Sequence, residues 1–296
     1  MFSTLTRAVS RTGKGGQVAK RAMSTNLLSD LKGKVIVVAG AGNPPDEEHG
    51  IGATTSLVLA RLGAKVVSVS NAAVNAETIT DVITKEGHTG IAHTADVCNS
   101  DEAKGVLDRT IAEFGHVDGL INAGVHNAMP NGFGKMTEDY WKMAIDINLH
   151  AHFQLVHQFL PHFEERGSGN IIHFTTIAGS VGLGVGKQRH SYAAGKAAAA
   201  VFTKRIGVEY AKKGIRGNVV QIGYVSGPLV NRAVAAGGAD ISAVTATRDS
   251  YVPRGQQGTP EEIANVAAFL SSDASRFVNG TDIFVDGGGS GCTYGP

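Results

Sequence analysis

The chain has little cysteine and no long hydrophobic run. Its 296 residues include two cysteines, Cys98 and Cys292, which lie far apart and lack the spacing of metal ligands. This scarcity argues against a disulfide framework and a zinc site, and it fits a reducing compartment. No stretch reaches the roughly 20 apolar residues that a membrane span requires. We therefore expect neither a membrane span nor a metal site.

An excess of charge of one sign is also missing. The formal net charge is +1, which leaves no footprint for nucleic acid or an anionic membrane, because strong phosphate binding needs clustered excess Lys and Arg. With 42% hydrophobic and 18% charged residues, the chain can bury a full core. We expect a globular protein without a nucleic-acid partner.

The first 29 residues contain no acidic side chain. Asp30 is the first acid, whereas the segment is rich in Ser and Thr and has five basic residues: Arg7, Arg11, Lys14, Lys20 and Arg21. This composition is typical of a mitochondrial or plastid transit peptide, with a cleavage site near Ser24. A disordered basic tail is the alternative interpretation. We predict import into the mitochondrial matrix, ahead of the plastid or the cytoplasm.

Short apolar runs alternate with amphipathic stretches from residue 33 onward. The runs read as strands at 34–39, 64–70, 90–95, 119–122, 170–175, 218–222 and 282–285, with helical patterns in nearly every gap. The sequence predicts an α/β fold with a single Rossmann-like, doubly wound parallel sheet and helices on both faces. One domain, residues 30–296, follows the tail at 1–29.

Glycines mark the first turn from strand to helix. The first strand ends at Gly40, and Gly50-Ile51-Gly52 opens the next helix. Such glycines let the chain bend tightly and bring the amides of a helix N-terminus against a pyrophosphate. The pattern predicts a dinucleotide site.

The same turn is lengthened by residues 43–49, which include two prolines and three acids. Acids beside a pyrophosphate would be unfavourable, so we expect these side chains to point to solvent. The alternative is a loop that abolishes the site.

The end of the second strand lacks an acid. Ser70 and Asn71 stand where a carboxylate would bind the ribose 2′-hydroxyl and repel a 2′-phosphate. Either side chain could donate to a phosphate, and His49 could approach from the lengthened turn. The cofactor prediction is NADP(H) ahead of NAD(H).

Tyr192 and Lys196 stand four residues apart, in Ser-Tyr-Ala-Ala-Gly-Lys before an alanine run. On a helix, residues at i and i+4 are neighbours. A nearby cation lowers the pKa of a phenol from about 10 toward neutrality, which suits proton transfer. The alternative is a surface lysine packed over a half-buried tyrosine.

These features occur in a fixed order with several others. The others are Asp96-Val97, Asn122-Ala123-Gly124, Asn148, Thr175-Thr176, Asn218, Gly258 to Ala264 and Val285 to Gly288. The ordered set resembles the classical short-chain dehydrogenase/reductase family over about residues 34–289. Its C-terminal part is most similar to the 3-oxoacyl-acyl-carrier-protein reductase type.

The resemblance implies a role for each matching residue. Tyr192 would be the general acid/base, Lys196 would lower its pKa and bind the nicotinamide ribose, Asn148 would hold a backbone-water relay, and Thr176 would orient substrate. Asp96 would meet the adenine. The predicted cofactor-binding residues are Gly40, Gly50, Ile51, Gly52, Ser70, Asn71, Asp96, Val97, Asn122, Ala123, Gly124, Tyr192, Lys196, Gly223 and Val225.

Several positions depart from the family pattern. Thr176 replaces a serine, and Ser180 is a possible substitute for it. The segment from Thr176 to Tyr192 is about three residues longer than is usual in the family, with residues 187–190 crowding the approach to the tyrosine. Gly227 replaces a carboxamide-binding threonine, which leaves Ser226 as a possible donor. Residues 227–255 would form the substrate lid.

The expected function is hydride transfer between NAD(P)(H) and a carbonyl or alcohol, with a 3-oxoacyl thioester as one candidate substrate. Alternatives are an NAD-dependent steroid, polyol or hydroxyacyl dehydrogenase, and a cofactor-binding scaffold subunit that lacks catalysis. A homotetramer or homodimer is expected, with the alanine run 197–200 allowing close helix packing between subunits. Four histidines at 150–162 lack the spacing to converge on one metal ion.

Overall fold

The computed structural model describes residues 31–124, 133–181 and 189–292. The transit-peptide prediction and most of the loop before Tyr192 lie outside these ranges. Within them the chain forms one seven-stranded sheet with every neighbouring pair parallel, in the order β3-β2-β1-β4-β5-β6-β7. Its strands are β1 Val35–Ala39, β2 Lys65–Ser70, β3 Gly90–Thr94, β4 Gly119–Asn122, β5 Gly169–Thr176, β6 Ile215–Ile222 and β7 Asp282–Val285.

Helices fill the connections between these strands. They are α1 Ile51–Arg61, α2 Ala73–Lys85, α3 Ser100–Phe114, α4 Glu138–Ile145, α5 Ala151–Arg166, α6 His190–Glu209, α7 Pro228–Ala236, α8 Ile241–Ser250 and α9 Pro260–Ser271. A π-helical turn, Asp146–His150, joins α4 to α5. Such turns place one extra residue in a helix and are frequent at functional sites.

The central strands are hydrophobic on both sides because both faces are covered. In β1, Ile36 and Val38 pack with α1, α2 and α9, whereas Val37 and Ala39 pack with α3 and α5 on the opposite face. All five β1 side chains are buried. The predicted fold, a doubly wound parallel sheet between two helical layers, is confirmed.

The seven predicted strands are all present, and the largest difference in their bounds is at β6. This strand begins at Ile215, three residues before the predicted start at 218. The polar and glycine residues at its start hide it from a periodicity argument. Gly217 is required there by packing, because a Cβ at that position would lie 2.4 Å from the Thr203 carbonyl oxygen of α6.

The strand order reverses at β1, which lies between β2 and β4. Connections leave this point in opposite directions, so a crevice opens at the carboxyl ends of these strands, where ligands bind in open α/β sheets. The cleft found there has a volume of about 1540 Å³. In the parts of the chain that the structure describes, no helix has the length and apolarity to cross a membrane.

Candidate active site

The floor of the cleft is a glycine turn between β1 and α1. A Cβ at Gly40 would lie 2.5 Å from the Gly124 nitrogen, and one at Gly52 would lie 2.1 Å from the Gly40 carbonyl oxygen. Gly40 also has a φ of +80°. Backbone segments from β1, α1 and the end of β4 therefore approach more closely than any side chain would permit.

The N-terminus of α1 is open toward the cleft. Its N-cap Gly50 provides no side-chain hydrogen bond, and the first turn has no acidic residue. A Cβ built at Gly50 would meet a single neighbour, the Pro228 side chain, at 3.9 Å. The first amides of α1 and its positive dipole end therefore face an uncrowded space, as a pyrophosphate requires. A dinucleotide fits this cradle.

The lengthened turn is organised by Asn43, which is 1% exposed. Its side-chain nitrogen donates to the carbonyl oxygens of Pro44 and Glu47 at 2.9 and 3.1 Å, and its oxygen accepts from the Gly50 amide at 3.3 Å. These bonds fold the insertion back on itself and leave the helix entrance clear. The alternative of a loop that abolishes the site receives no support from this geometry.

The three acids of this turn have different surroundings. Asp46 and Glu48 are exposed, as expected, whereas Glu47 is half-buried and its carboxylate forms an ion pair with Arg232 of α7. His49 does not line the cofactor cleft, contrary to the expectation that it could approach the cofactor from this turn.

Ser70 and Asn71 line the cleft at the end of β2. Ser70 is nearly buried, and its hydroxyl oxygen accepts from the Ala72 amide at 3.3 Å, whereas Asn71 is exposed. Asp96 and Val97 line the same wall. The predicted adenosine side of the site is thus assembled from the ends of β2 and β3.

The end of β4 is held by its own side chain. The Asn122 oxygen accepts from the Gly124 amide at 2.9 Å, and the Ala123 amide donates to the Ala39 carbonyl oxygen at 2.8 Å. These bonds fix the backbone of residues 122–124 against β1, where it lines the cleft.

Lys196 enters the cleft from α6 and is 2% exposed. Its ammonium group donates to the carbonyl oxygens of Gly124 and Phe174, at 2.8 and 2.9 Å. Burial lowers the pKa of Lys196 to about 7. At neutral pH this side chain is therefore poised between its charged and neutral forms.

Tyr192 lies one turn before Lys196, within hydrogen-bonding reach of the Thr176 hydroxyl. Burial raises the pKa of Tyr192, and the Thr176 hydrogen bond and the charge of Arg189 oppose that rise. This direction is contrary to the expectation that Lys196 lowers the tyrosine pKa, because the lysine is turned toward two carbonyl groups. Thr176 lines the cleft, whereas Ser180 is exposed and lies outside it, so the substitute role for Ser180 is wrong.

Asn148 lies in the π-helical turn and is 1% exposed. Its amide nitrogen donates to the Ala144 carbonyl oxygen at 2.9 Å. A Cβ at Gly195 would lie 3.1 Å from the Asn148 Cβ, so the glycine between Tyr192 and Lys196 lets α6 pack closely on this turn. Asn148 is thus placed against α6, behind Tyr192 and Lys196.

The far wall of the cleft follows β6. A Cβ at Gly223 would lie 2.6 Å from the Asp286 Cβ, and Val225 forms an isolated parallel bridge with Gly258. The Ser226 hydroxyl donates to the Gly258 carbonyl oxygen at 3.3 Å while its residue lines the cleft. The expected lid, residues 227–255, contains α7 and α8, which cover this side.

Several cleft side chains that the sequence pattern did not identify come from these covering helices and from the segment that follows β6. Arg248 on α8 and Tyr224 after β6 both line the cleft, as does Arg232 on α7. Arg189 belongs to the segment predicted to crowd the tyrosine, and its charge also acts to lower the pKa of Tyr192. No local spacing signal distinguishes these residues, because each is placed by long-range packing.

The histidines at 150–162 have separate neighbours. His152 is buried and bonds Thr203 at 2.8 Å, His150 bonds Gln154 at 3.0 Å, and the His162 ring accepts from the Val117 amide. Among residues 31–124, 133–181 and 189–292, no group of three or more His, Cys, Asp or Glu could hold a metal ion.

Comparison with known proteins shows long, well-aligned similarity. The chain is 37% identical over 257 residues to cis-4-hydroxycyclohexanecarboxylate dehydrogenase of Sinomonas cyclohexanicum, covering 86% of this chain and 96% of that protein. It is 31% identical over 266 residues to cyclohexanol dehydrogenase of an Acinetobacter species, covering 90% and 98%. It is 30% identical over 262 residues to a 3-oxoacyl-acyl-carrier-protein reductase of Thermotoga maritima, covering 87% and 98%.

A solved structure gives the same result. A short-chain dehydrogenase/reductase from Burkholderia xenovorans superposes with a TM-score of 0.84 at 31% identity, covering 89% of this chain and 99% of that one. Residues 46–290 match the family described as Enoyl-(Acyl carrier protein) reductase. With the cleft described above, these similarities show that the chain is an oxidoreductase that belongs to the classical short-chain dehydrogenase/reductase family.

Proposed function

We propose that this protein interconverts a secondary alcohol and a ketone with NAD(P)(H), and that Tyr192 transfers the proton. The observation that carries the proposal is the pairing of the Tyr192 and Thr176 hydroxyl groups in one cleft with the buried Lys196 amine. Two hydroxyl donors that converge on one point can bind and protonate a carbonyl oxygen.

In the reduction direction, the Tyr192 phenol donates its proton to the carbonyl oxygen while the Thr176 hydroxyl donates a hydrogen bond to the same atom. When bound, the nicotinamide ring supplies the hydride in reduction or accepts it in oxidation. Lys196, with its pKa lowered to about 7, can return a proton toward Tyr192 at neutral pH. Asn148, held in the π-helical turn behind α6, would support the delivery of protons to Lys196.

For the substrate we propose a ring ketone or ring alcohol. The relatives named for 4-hydroxycyclohexanecarboxylate and cyclohexanol support this class. A 3-oxoacyl thioester is the second candidate, supported by the similarity to 3-oxoacyl-acyl-carrier-protein reductase. The test is oxidation of NADPH and NADH with cyclohexanone and an acetoacetyl thioester, compared at equal enzyme. Turnover of the thioester alone would overturn the ring-ketone proposal.

We further propose that NADP(H) is accepted because the end of β2 carries no carboxylate. Neutral Ser70 and Asn71 line that wall, so a 2′-phosphate meets no opposing charge there. Asn71→Asp changes one amide to a carboxylate of the same shape. We predict that it lowers kcat/KM for NADPH by about tenfold, the equivalent of about 1.4 kcal/mol, and changes NADH use little. Equal effects on both cofactors would contradict the proposal.

Location and assembly remain proposals. The basic, acid-free residues 1–29 support import into the mitochondrial matrix, which a fluorescent fusion of those residues would test. Exposed apolar side chains on α5 and α6, among them Phe153 at 41% and Val201 at 54%, support a homodimer or homotetramer. The alanine run does not lie wholly on that surface, since Ala199 and Ala200 are buried within the chain. Light scattering of the purified protein decides the assembly.

A further inference from the structure

Two arginines lie on the substrate side of the cleft. Arg189 is the N-cap residue of α6, three positions before Tyr192, and Arg248 belongs to α8. Both side chains line the cleft that holds Tyr192 and Thr176. Arg189 lies close enough to both Tyr192 and Arg248 for its charge to lower the pKa of each. The two arginines therefore share one cleft with the Tyr192 and Thr176 side chains.

Arg248 is held in place by its neighbours. Its Nε donates to the Gln257 side-chain oxygen, and one Nη donates to the Val225 carbonyl oxygen at 2.9 Å. The guanidinium lies 5.0 Å from the centre of the Tyr224 ring. Its other Nη takes part in no hydrogen bond with the described residues. This guanidinium group is thus held in position by the protein itself, and its second Nη can donate hydrogen bonds to a ligand.

The positive charge of Arg248 is only partly balanced by the groups around it. Asp249 is the acid next to it, but the Asp249 carboxylate accepts from the backbone and side-chain nitrogens of Gln257. Burial lowers the pKa of Arg248 and the charge of Arg189 adds to that effect, while Tyr224 and Asp249 oppose it. Arg189 is exposed and Arg248 is half-buried, so an anion bound near both would offset their repulsion and the desolvation of Arg248.

The cofactor's phosphates are a poor match for this pair. The pyrophosphate cradle is at Gly50, where the nearest part of α7 is Pro228, and the arginine of α7, Arg232, is paired with Glu47. Arg248 instead bonds the segment that follows β6, and Arg189 adjoins the catalytic tyrosine. An anion between them belongs to the molecule whose oxygen meets Tyr192.

We propose that Arg189 and Arg248 form a carboxylate-binding subsite, so that the preferred substrate is an oxo or hydroxy acid whose ring joins the reacting carbon to a carboxylate. This inference rests on the proposed ring-ketone activity and specifies its substrate. Planar guanidinium groups suit a carboxylate, because paired N–H donors match its two oxygens.

The test compares two probes, 4-oxocyclohexanecarboxylate and its methyl ester, with saturating NADPH. The wild type should favour the acid in kcat/KM. Arg189→Gln and Arg248→Gln should each lower the ratio of acid to ester by about ten- to a hundredfold, the range for hydrogen bonds to a charged group. Any general change in Tyr192 chemistry alters both substrates alike and cancels in the ratio.

Arg205→Gln is the matched control, because it removes the same charge from an exposed position of the same helix outside the cleft. Its ratio should equal that of the wild type. Arg248 also braces the chain, so Arg189→Gln keeps the test valid if the α8 variant fails to fold. Unchanged ratios in folded variants, or a loss confined to the KM for NADPH, would overturn the subsite.

Failure of the proposed activity gives a different result. If the wild type reduces neither probe, calorimetric titration of cyclohexanecarboxylate, which has no ketone, still measures the subsite. Binding that weakens by about tenfold in Arg189→Gln and not in Arg205→Gln would support the subsite without ring-ketone turnover. No binding to the wild type would overturn it.

Discussion

The two ends of the cleft differ in what forms their walls: the backbone at one end and side chains at the other. At the cofactor end, Gly40 and Gly52 bring backbone against backbone at distances that exclude a Cβ. At the substrate end, Arg189, Arg248 and other side chains from α6, α7 and α8 form the walls. The first end is defined by steric exclusion and tolerates no enlargement. The second is defined by side-chain chemistry and can change while the fold stays the same.

The largest expected effect is on chemistry at the substrate end. Tyr192→Phe removes the proton donor and should lower kcat by about 10²- to 10⁴-fold, the range of general acid catalysis. Cofactor binding, followed by NADPH fluorescence, should stay nearly intact. Tyr140→Phe removes the same hydroxyl from an exposed helix outside the cleft and should leave kcat unchanged. Turnover like that of the wild type in Tyr192→Phe would contradict the mechanism.

At the cofactor end, a single added methyl group should destabilise the fold. In Gly52→Ala the new Cβ would lie 2.1 Å from the Gly40 carbonyl oxygen, so we expect a loss of about 3 kcal/mol in the free energy of unfolding, from overpacking. Gly105→Ala is the matched change in α3, where the nearest atom is 4.0 Å away. It should gain about 0.5–1 kcal/mol. Chemical denaturation measures both, and similar values would refute steric control.

Lys196 links the two ends, and its burial should appear in the pH dependence of stability. Its pKa falls from 10.5 to about 7 on folding, so the unfolded chain binds more protons between these values. Stability should therefore rise with pH from about 7 to 10, by up to about 1.4 kcal/mol per pH unit, relative to Lys196→Met. Urea unfolding of both proteins from pH 6 to 9 gives the difference. Parallel curves would show that Lys196 keeps its ordinary pKa.

The smallest expected effect concerns the ion pair that joins the lengthened turn to α7. Glu47→Gln should weaken NADPH binding by about two- to fivefold at low salt, because a partly exposed ion pair contributes up to about 1 kcal/mol. The effect should vanish at high salt. Glu138→Gln breaks a similar exposed pair with Lys142 on α4, away from the cleft, and serves as control. Equal changes in the two variants would remove any role for the pair.

Much of the fold was predictable from local pattern. The periodicity of buried strands identified all seven strands, since burial on both faces demands continuous apolar runs such as Val35–Ala39. The predicted bounds were wrong at β6, where Gly217 is required because α6 packs closely against the strand. The predicted residues Asn148, Thr176, Tyr192 and Lys196 lie together at one end of the sheet, because their motifs occur where strands end or on helices that pack there.

The sequence by itself determined the strands, the glycine cluster of the first turn and the four-residue spacing of Tyr192 and Lys196, because each is a pattern within a few residues of the chain. The tertiary structure alone decided that Glu47 meets Arg232, that His49 stays out of the cleft lining, and that Arg189 and Arg248 line the same cleft as Tyr192. The tertiary structure also decided that the pKa of Tyr192 is raised. Burial, charge and partner choice are sums over distant groups, and no local pattern contains them.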